Sequence, residues 1–268
     1  MQSLWRDEDA LAAIERYARQ GVGEDLALRT YTARLLGGDP RLVLHGGGNT
    51  SVKTRARDVF GENVEVLCVK GSGWDLGEIE PAGHPAVRLQ PLMKLRALNR
   101  LSDEDMVSAQ RQLLLDPAAP NPSVETLLHA FIPDKFVDHT HSTAILALAN
   151  QPDAETIFRE IFGDHVVLVP YVMPGFELAR AAGSSSSWRC ADTMSSSERL
   201  FRARSFIKGC RRTAGWPAGS MAPRSQPEPL TQSTSTFSPN TSRARVFTEV
   251  LPPPCSTSRG SPPNSRAV

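Results

Sequence analysis

Phe136-Val137-Asp138-His139-Thr140-His141 runs directly into Ser142-Thr143-Ala144-Ile145-Leu146-Ala147-Leu148-Ala149-Asn150. The first six residues read as a short strand and the next nine begin a helix. Just upstream, 123–131 reads as a helix starting at Ser123, an N-cap after Asn121-Pro122. A further helix is predicted over 103–114. Downstream, a helix over 153–162 is followed by a β-branched run at 166–172 that reads as a strand. Toward the N-terminus, 8–20 places Leu11, Ile14 and Tyr17 at helical spacing, and 24–36 does so with Leu26, Tyr31 and Leu35. Gly37-Gly38-Asp39-Pro40 breaks the second helix. The apolar run Leu42-Val43-Leu44 then meets Gly46-Gly47-Gly48-Asn49-Thr50-Ser51, and a strand over 64–69 enters a second glycine turn, Lys70-Gly71-Ser72-Gly73. Strands alternating with helices over about 180 residues imply a layered α/β domain.

Composition divides the chain in two. Residues 1–183 carry 18 Lys and Arg against 25 Asp and Glu, a net of −7, whereas 184–268 carry 12 against 4, a net of +8. The second segment has 18 serines and 10 prolines but only 11 Leu, Ile, Val or Phe in 85 residues. That apolar share is below the roughly 20% a chain needs to offset its ordering entropy. Residues 1–183 are therefore expected to form the folded domain, and 184–268 a disordered tail rich in Ser, Arg and Pro. Two origins fit the tail: a linker, or translation out of frame, which the sequence favours because those three residue types rise together where the fold should continue. The tail's arginines are scattered, so its charge reads as a solvated segment and not as a nucleic-acid site. Nothing approaches the ~18 apolar residues of a membrane span. The acidic start (Asp7, Glu8, Asp9) is unlike a signal peptide, and the lone Cys68 of the ordered part suits a reducing compartment. A cytoplasmic protein without nucleic-acid or membrane partners is expected.

The chemistry concentrates in His139-Thr140-His141. Side chains two apart on a strand share a face, so both imidazoles can reach one metal ion; two histidines that merely pack or face water are the plainer alternative. Glu125 and His129, four apart on the preceding helix, share a face. A carboxylate beside a dication can act as a general base next to a carbonyl, although a lone glutamate is more often a surface group. The two glycine turns allow backbone N–H groups to converge on an anion, with Asn49, Thr50 and Ser72 as added donors; neither has the Gly-Lys-Ser/Thr ending of a Walker motif.

Gly48-Asn49-Thr50-Ser51, Lys70-Gly71-Ser72-Gly73, Ser123-Val124-Glu125 with His129, and His139-Thr140-His141 together resemble the class II aldolase/adducin family in order and spacing. The stretch over 47–176 is most similar to the aldolase half of bifunctional rhamnulose-1-phosphate aldolase/short-chain alcohol dehydrogenases. The resemblance, over roughly residues 10–182, implies a three-layer α/β/α domain with a mainly antiparallel central sheet, assembled as a homotetramer. It implies zinc-dependent retro-aldol cleavage of a ketose 1-phosphate to dihydroxyacetone phosphate and, for this branch, L-lactaldehyde. By the same resemblance His139 and His141 are zinc ligands, Glu125 is the acid/base, and Asn49, Ser72, Gly73 and Ser123 hold the phosphate. A sugar-phosphate 4-epimerase and a non-catalytic adducin-like scaffold are the alternatives within the family.

The sequence departs from the resemblance in two respects. The third zinc histidine of the family lies in a His-Gly turn after the strand that 166–172 matches, and no histidine follows His165, which falls too early to replace it. A weakened zinc site, little or no activity, an incomplete fold and an unpaired sheet edge are the expected consequences. No Gly-x-Gly-x-x-Gly turn marks a dehydrogenase half.

Overall fold

A computed structural model of the chain describes residues 3–163, 166–169, 171–184 and 244–248. Two helices, α1 (Asp7–Ala18) and α2 (Glu24–Gly37), precede β1 (Asn49–Arg57) and β2 (Asn63–Val69). A short β3 (Ala86–Arg88) leads into α3 (Leu89–Lys94) and α4 (Asp103–Gln112). Then come α5 (Thr126–Phe131), β4 (Phe136–Thr140), α6 (Thr143–Ala149), α7 (Ala154–Phe162) and α8 (Phe176–Ser184), with β5 at Ala244–Thr248. The sheet order is β3-β2-β1-β4-β5. All pairs are antiparallel except β4 with β5.

Alternation along the strands explains the layers. Val52, Val66, Cys68 and Phe136 point to one face, where Leu26 of α2 meets them. Leu67, Val69, Val87 and Val137 point to the other, against Leu92 of α3, Leu127, Leu128 and Phe131 of α5, and Ala179 of α8. Helices thus cover both faces of a mainly antiparallel sheet, which is the expected three-layer α/β/α class II aldolase-like architecture.

The structure corrects four local expectations. Residues 49–51, read as part of a glycine turn, begin the longest strand, because pairing on both sides outweighs the loop-like Asn-Thr-Ser composition. Ser123 is not the N-cap: α5 starts at Thr126 with Glu125 in that position. Ser123 instead makes a turn just before it, its Oγ accepting from the Glu125 N–H at 3.2 Å. Among the described residues of 166–172 there is no strand; a β-branched run needs a sheet edge, and the edge beside β4 is taken by β5. For the same reason that edge is not bare there, as the loss of later strands had suggested.

Leu67, fully buried at the centre of β2, should tolerate truncation poorly. Leu67→Ala is expected to cost about 2–5 kcal/mol in urea unfolding, against well under half of that for Val59→Ala at the exposed hairpin tip.

Candidate metal centre

The pairing of β1 with β4 sets Asn49 opposite His139 and Ser51 opposite Val137. The side chains of Asn49, Ser51, Lys53 and His139 therefore share the face on which α5 packs. Helix α5 is only six residues long, and its C-terminal carbonyls lack helical partners. The Lys53 ammonium helps to close that end, donating to the His129 carbonyl in the helix and to the Ile132 and Asp134 carbonyls just beyond it, each at 2.8 Å.

On this platform the two imidazoles converge. His139 Nε2 lies 3.1 Å from His141 Nε2, with ring centroids 5.0 Å apart. Nitrogens bound to one zinc ion are about 3.3 Å apart, given Zn–N bonds of about 2.0–2.1 Å and tetrahedral angles, so the pair fits a shared cation. The opposite edge of the same ring meets the carboxylate: His139 Nδ1 is 3.1 Å from Glu125 Oε2. Asn49 Nδ2 donates to that same oxygen at 2.9 Å. His129 is fully buried, its Nδ1 2.8 Å from Ser51 Oγ. Glu125, His129 and His139 each offer a ligand atom within 4.8 Å of the other two. The donor chemistry, imidazole nitrogen and carboxylate oxygen, suits Zn²⁺.

Electrostatics follow from burial. Burial pushes the Glu125 carboxyl upward, but the charge and hydrogen bond of His139, with the bond from Asn49, outweigh it and hold it well below the usual carboxylate range. Burial draws His129 down to about 3, with His139 adding to the effect. His141 is lowered mainly by burial. Glu125 is thus ionised and His129 neutral at pH 7, the forms in which they can bind a metal.

The phosphate-site residues fall into two groups. Asn49 is buried against Glu125, inside the cluster. Ser72 and Gly73 are exposed on the neighbouring turn, where Gly73 has φ +86°. That turn adjoins the segment before α5: the Ser72 N–H donates to Asn121 O at 2.8 Å, and the Ser123 N–H to Lys70 O at 3.2 Å. Ser72, Gly73 and Ser123 are therefore neighbours at the mouth of the cluster. The first glycine loop closes from the other side, since a Cβ on Gly47 would sit 3.5 Å from His141 Nδ1. Lys70, quoted in the motif but given no role, is nearly buried and donates to Gly46 O and to Gly48 O, the latter at 3.0 Å. It pins that loop and brings a positive charge toward Glu125. Asp138 lies on the opposite sheet face, paired at 2.5 Å with the buried Arg29. His165 lies outside the described residues.

Residues 28–197 match the class II aldolase and adducin N-terminal domain. The chain belongs to this family. A solved N-terminal class II aldolase domain of a conserved protein from Thermoplasma acidophilum is 38% identical, with a TM-score of 0.59, covering 71% of this chain and 80% of that one. An uncharacterized oxidoreductase of Bacillus subtilis (strain 168), YuxG, is 41% identical over 150 residues. That match takes in 56% of this class II aldolase-family chain and 22% of the relative's length. Among the described residues, no helix is long and apolar enough to cross a membrane.

The Lys53 clamp generates a prediction. Burial lowers its ammonium to about 8, against 10.5 in an unfolded chain, with Asp134 pulling the other way. Between those values the unfolded state binds more protons, so the contribution of Lys53 to stability rises with pH. Lys53→Met relieves a buried charge but strips three carbonyls, each at a cost of about 1–3 kcal/mol. The variant should therefore be less stable at pH 7 in urea melts, and its deficit should widen from about pH 8 to about pH 10.5.

Proposed function

We propose that this domain is built for zinc-dependent retro-aldol cleavage of a ketose 1-phosphate of the rhamnulose-1-phosphate type, giving dihydroxyacetone phosphate and L-lactaldehyde. The observation that supports it is one ring, His139, holding His141 Nε2 at one edge and Glu125 Oε2 at the other, each at 3.1 Å. A bound Zn²⁺ supplies Lewis acidity to negative charge developing on the substrate oxygens. Glu125 handles the proton on the carbon next to the carbonyl: in cleavage the carboxylate takes up the proton that leaves the sugar hydroxyl as its C–C bond breaks and returns it to that carbon, and in condensation it removes the proton from the carbon and returns it to the new hydroxyl. Asn49 and His139 fix the carboxylate, and its ionised state suits abstraction.

Ser72, Gly73 and Ser123 lie on adjoining turns beside Glu125, and the two serine hydroxyls with the Gly73 N–H are the groups there that suit a phosphate. Asn49 is better placed to orient Glu125 and the reacting end of the sugar. A homotetramer in the cytoplasm, without nucleic-acid or membrane partners, belongs to the same proposal.

The test is release of dihydroxyacetone phosphate from rhamnulose 1-phosphate by the full chain after zinc loading, read through a coupled NADH-consuming reductase. Glu125→Gln is expected to lower the rate by about 10²–10⁴-fold with metal still bound. An unchanged rate in that variant overturns the role of Glu125. Epimerised sugar without cleavage product would replace the aldolase reading with a 4-epimerase, and a metal-loaded chain inert toward both with a scaffold.

A further inference from the structure

We propose that His129 is a positioning residue for Glu125, acting through one buried water that accepts from its Nε2–H and donates to Asn49 Oδ1. The inference rests on the reading of Glu125 as the group that handles the proton, and it names what holds that group. It leaves the cation to the His139 and His141 rings and adds nothing to the second oxygen of Glu125.

Two buried atoms of the site are without a hydrogen-bond partner among the described residues: Oδ1 of Asn49, which is 1% exposed, and Nε2 of His129, which is fully buried. Buried polar atoms in that condition are rare, and two of them around one carboxylate mark a bound water. Chemistry gives each group its direction. A carboxylate only accepts, so the Asn49 Nδ2 that meets Glu125 Oε2 at 2.9 Å is the donor, and Oδ1 is left as an acceptor. On the ring, Nδ1 lies 2.8 Å from Ser51 Oγ. With the Ser51 hydroxyl donating there, the proton of the neutral ring sits on Nε2.

Spacing supports the bridge. A ring nitrogen of His129 and an oxygen of Glu125 lie within 4.8 Å of each other, and Asn49 touches that carboxylate. Partners of one water stand about 4.5–5.5 Å apart, given hydrogen bonds of about 2.8 Å. Donors then run one way, from Ser51 Oγ to His129 Nδ1, from Nε2 to water, from water to Asn49 Oδ1, and from Asn49 Nδ2 to Glu125 Oε2. Bonds aligned head to tail polarise one another, so the ring strengthens the last donor to the carboxylate. The water also stops the Asn49 amide from turning over, which would set its oxygen against an anion. The ring is itself fixed, since Lys53 holds the His129 carbonyl at 2.8 Å.

The experiment uses the full chain with His129→Leu, His129→Gln and Asn49→Ala, and circular dichroism recorded on each. In long-range ¹H–¹⁵N spectra of the unsubstituted chain, His129 should carry its proton on Nε2, and Asn49→Ala should shift that resonance. After zinc loading, His129→Leu is expected to lower kcat for dihydroxyacetone phosphate release by about 10–100-fold, with KM and the zinc Kd held within about threefold. His129→Gln keeps an N–H donor and should recover most of that loss, which a role in packing would not produce. A proton on Nδ1, a resonance indifferent to Asn49→Ala, an equal loss in both His129 variants, or zinc lost from a folded His129→Leu overturns the proposal. The spectrum of the unsubstituted chain decides wherever a variant fails to fold. A chain that cleaves no sugar phosphate overturns the retro-aldol reading, and the spectra then decide on His129 alone.

Discussion

The antiparallel seam between β1 and β4 is the constraint on which the rest depends. Its register puts Asn49 beside His139 and Ser51 beside Val137. Because side chains alternate, a slip by one residue would turn His139 to the far face and leave Asp138 under α5. The seam also sets where α5 lands, since Lys53 on β1 and Ser51 two residues earlier both grip it, through the carbonyl and the ring of His129. Glu125, at the start of that helix, meets His139 Nδ1 at 3.1 Å, while Lys53 holds its C-terminal end. Three elements far apart in sequence thus meet through one strand pair.

The back of the same seam is held by charge. Arg29 of α2 is 1% exposed, and its guanidinium approaches Ser51 O at 3.4 Å, Val137 O at 3.5 Å and the Asp138 carboxylate at 2.5 Å. Burying an ion pair is costly, and it is often no more stabilising than apolar packing would be. What the arrangement gives is direction: a planar fork that touches both strands penalises any shift between them. Nearby, Thr50 Oγ1 meets His84 Nε2 at 3.1 Å, in a pocket where burial draws His84 down to about 3. On this face the polar groups at the seam tie the strands together, and on the other they gather around His139.

Much of this was legible in the residues. His-x-His on a strand and Glu-x-x-x-His just before it are short-range patterns, and both imidazole pairing and carboxylate approach follow from them. Less legible was whatever depends on the far side of a contact. Asn49-Thr50-Ser51 reads as loop until two strands pair with it. The run at 166–172 reads as strand until another segment occupies the edge. Ser123 has the chemistry of an N-cap, but the turn it makes hands that position to Glu125, which moves the carboxylate off the helical face and onto His139. That His129 Nε2 has no hydrogen-bond partner among the described residues was invisible, because a missing partner leaves no mark on a sequence. Lys53 and Lys70 stood in plain view beside glycine and strand motifs, with nothing to distinguish a buried carbonyl clamp from a surface lysine.

Glu125 has two demands on it, orientation and chemistry, and its geometry separates them. Both observed contacts, from Asn49 Nδ2 and with His139 Nδ1, use Oε2. One oxygen is thereby tied to β1 and β4, while the group as a whole remains partly open, its side chain 15% exposed. A carboxylate anchored through one oxygen keeps the other for a cation or a proton without having to break its anchor first. The anchor also lowers its proton affinity, which keeps the group ionised and favours cation binding over holding a proton. The fully buried ring of His129 lies beside the group, and the Lys70 ammonium, held by the first glycine loop, adds its positive charge to the effect of His139. The free oxygen of Glu125 is therefore the point at which a cation and a proton compete.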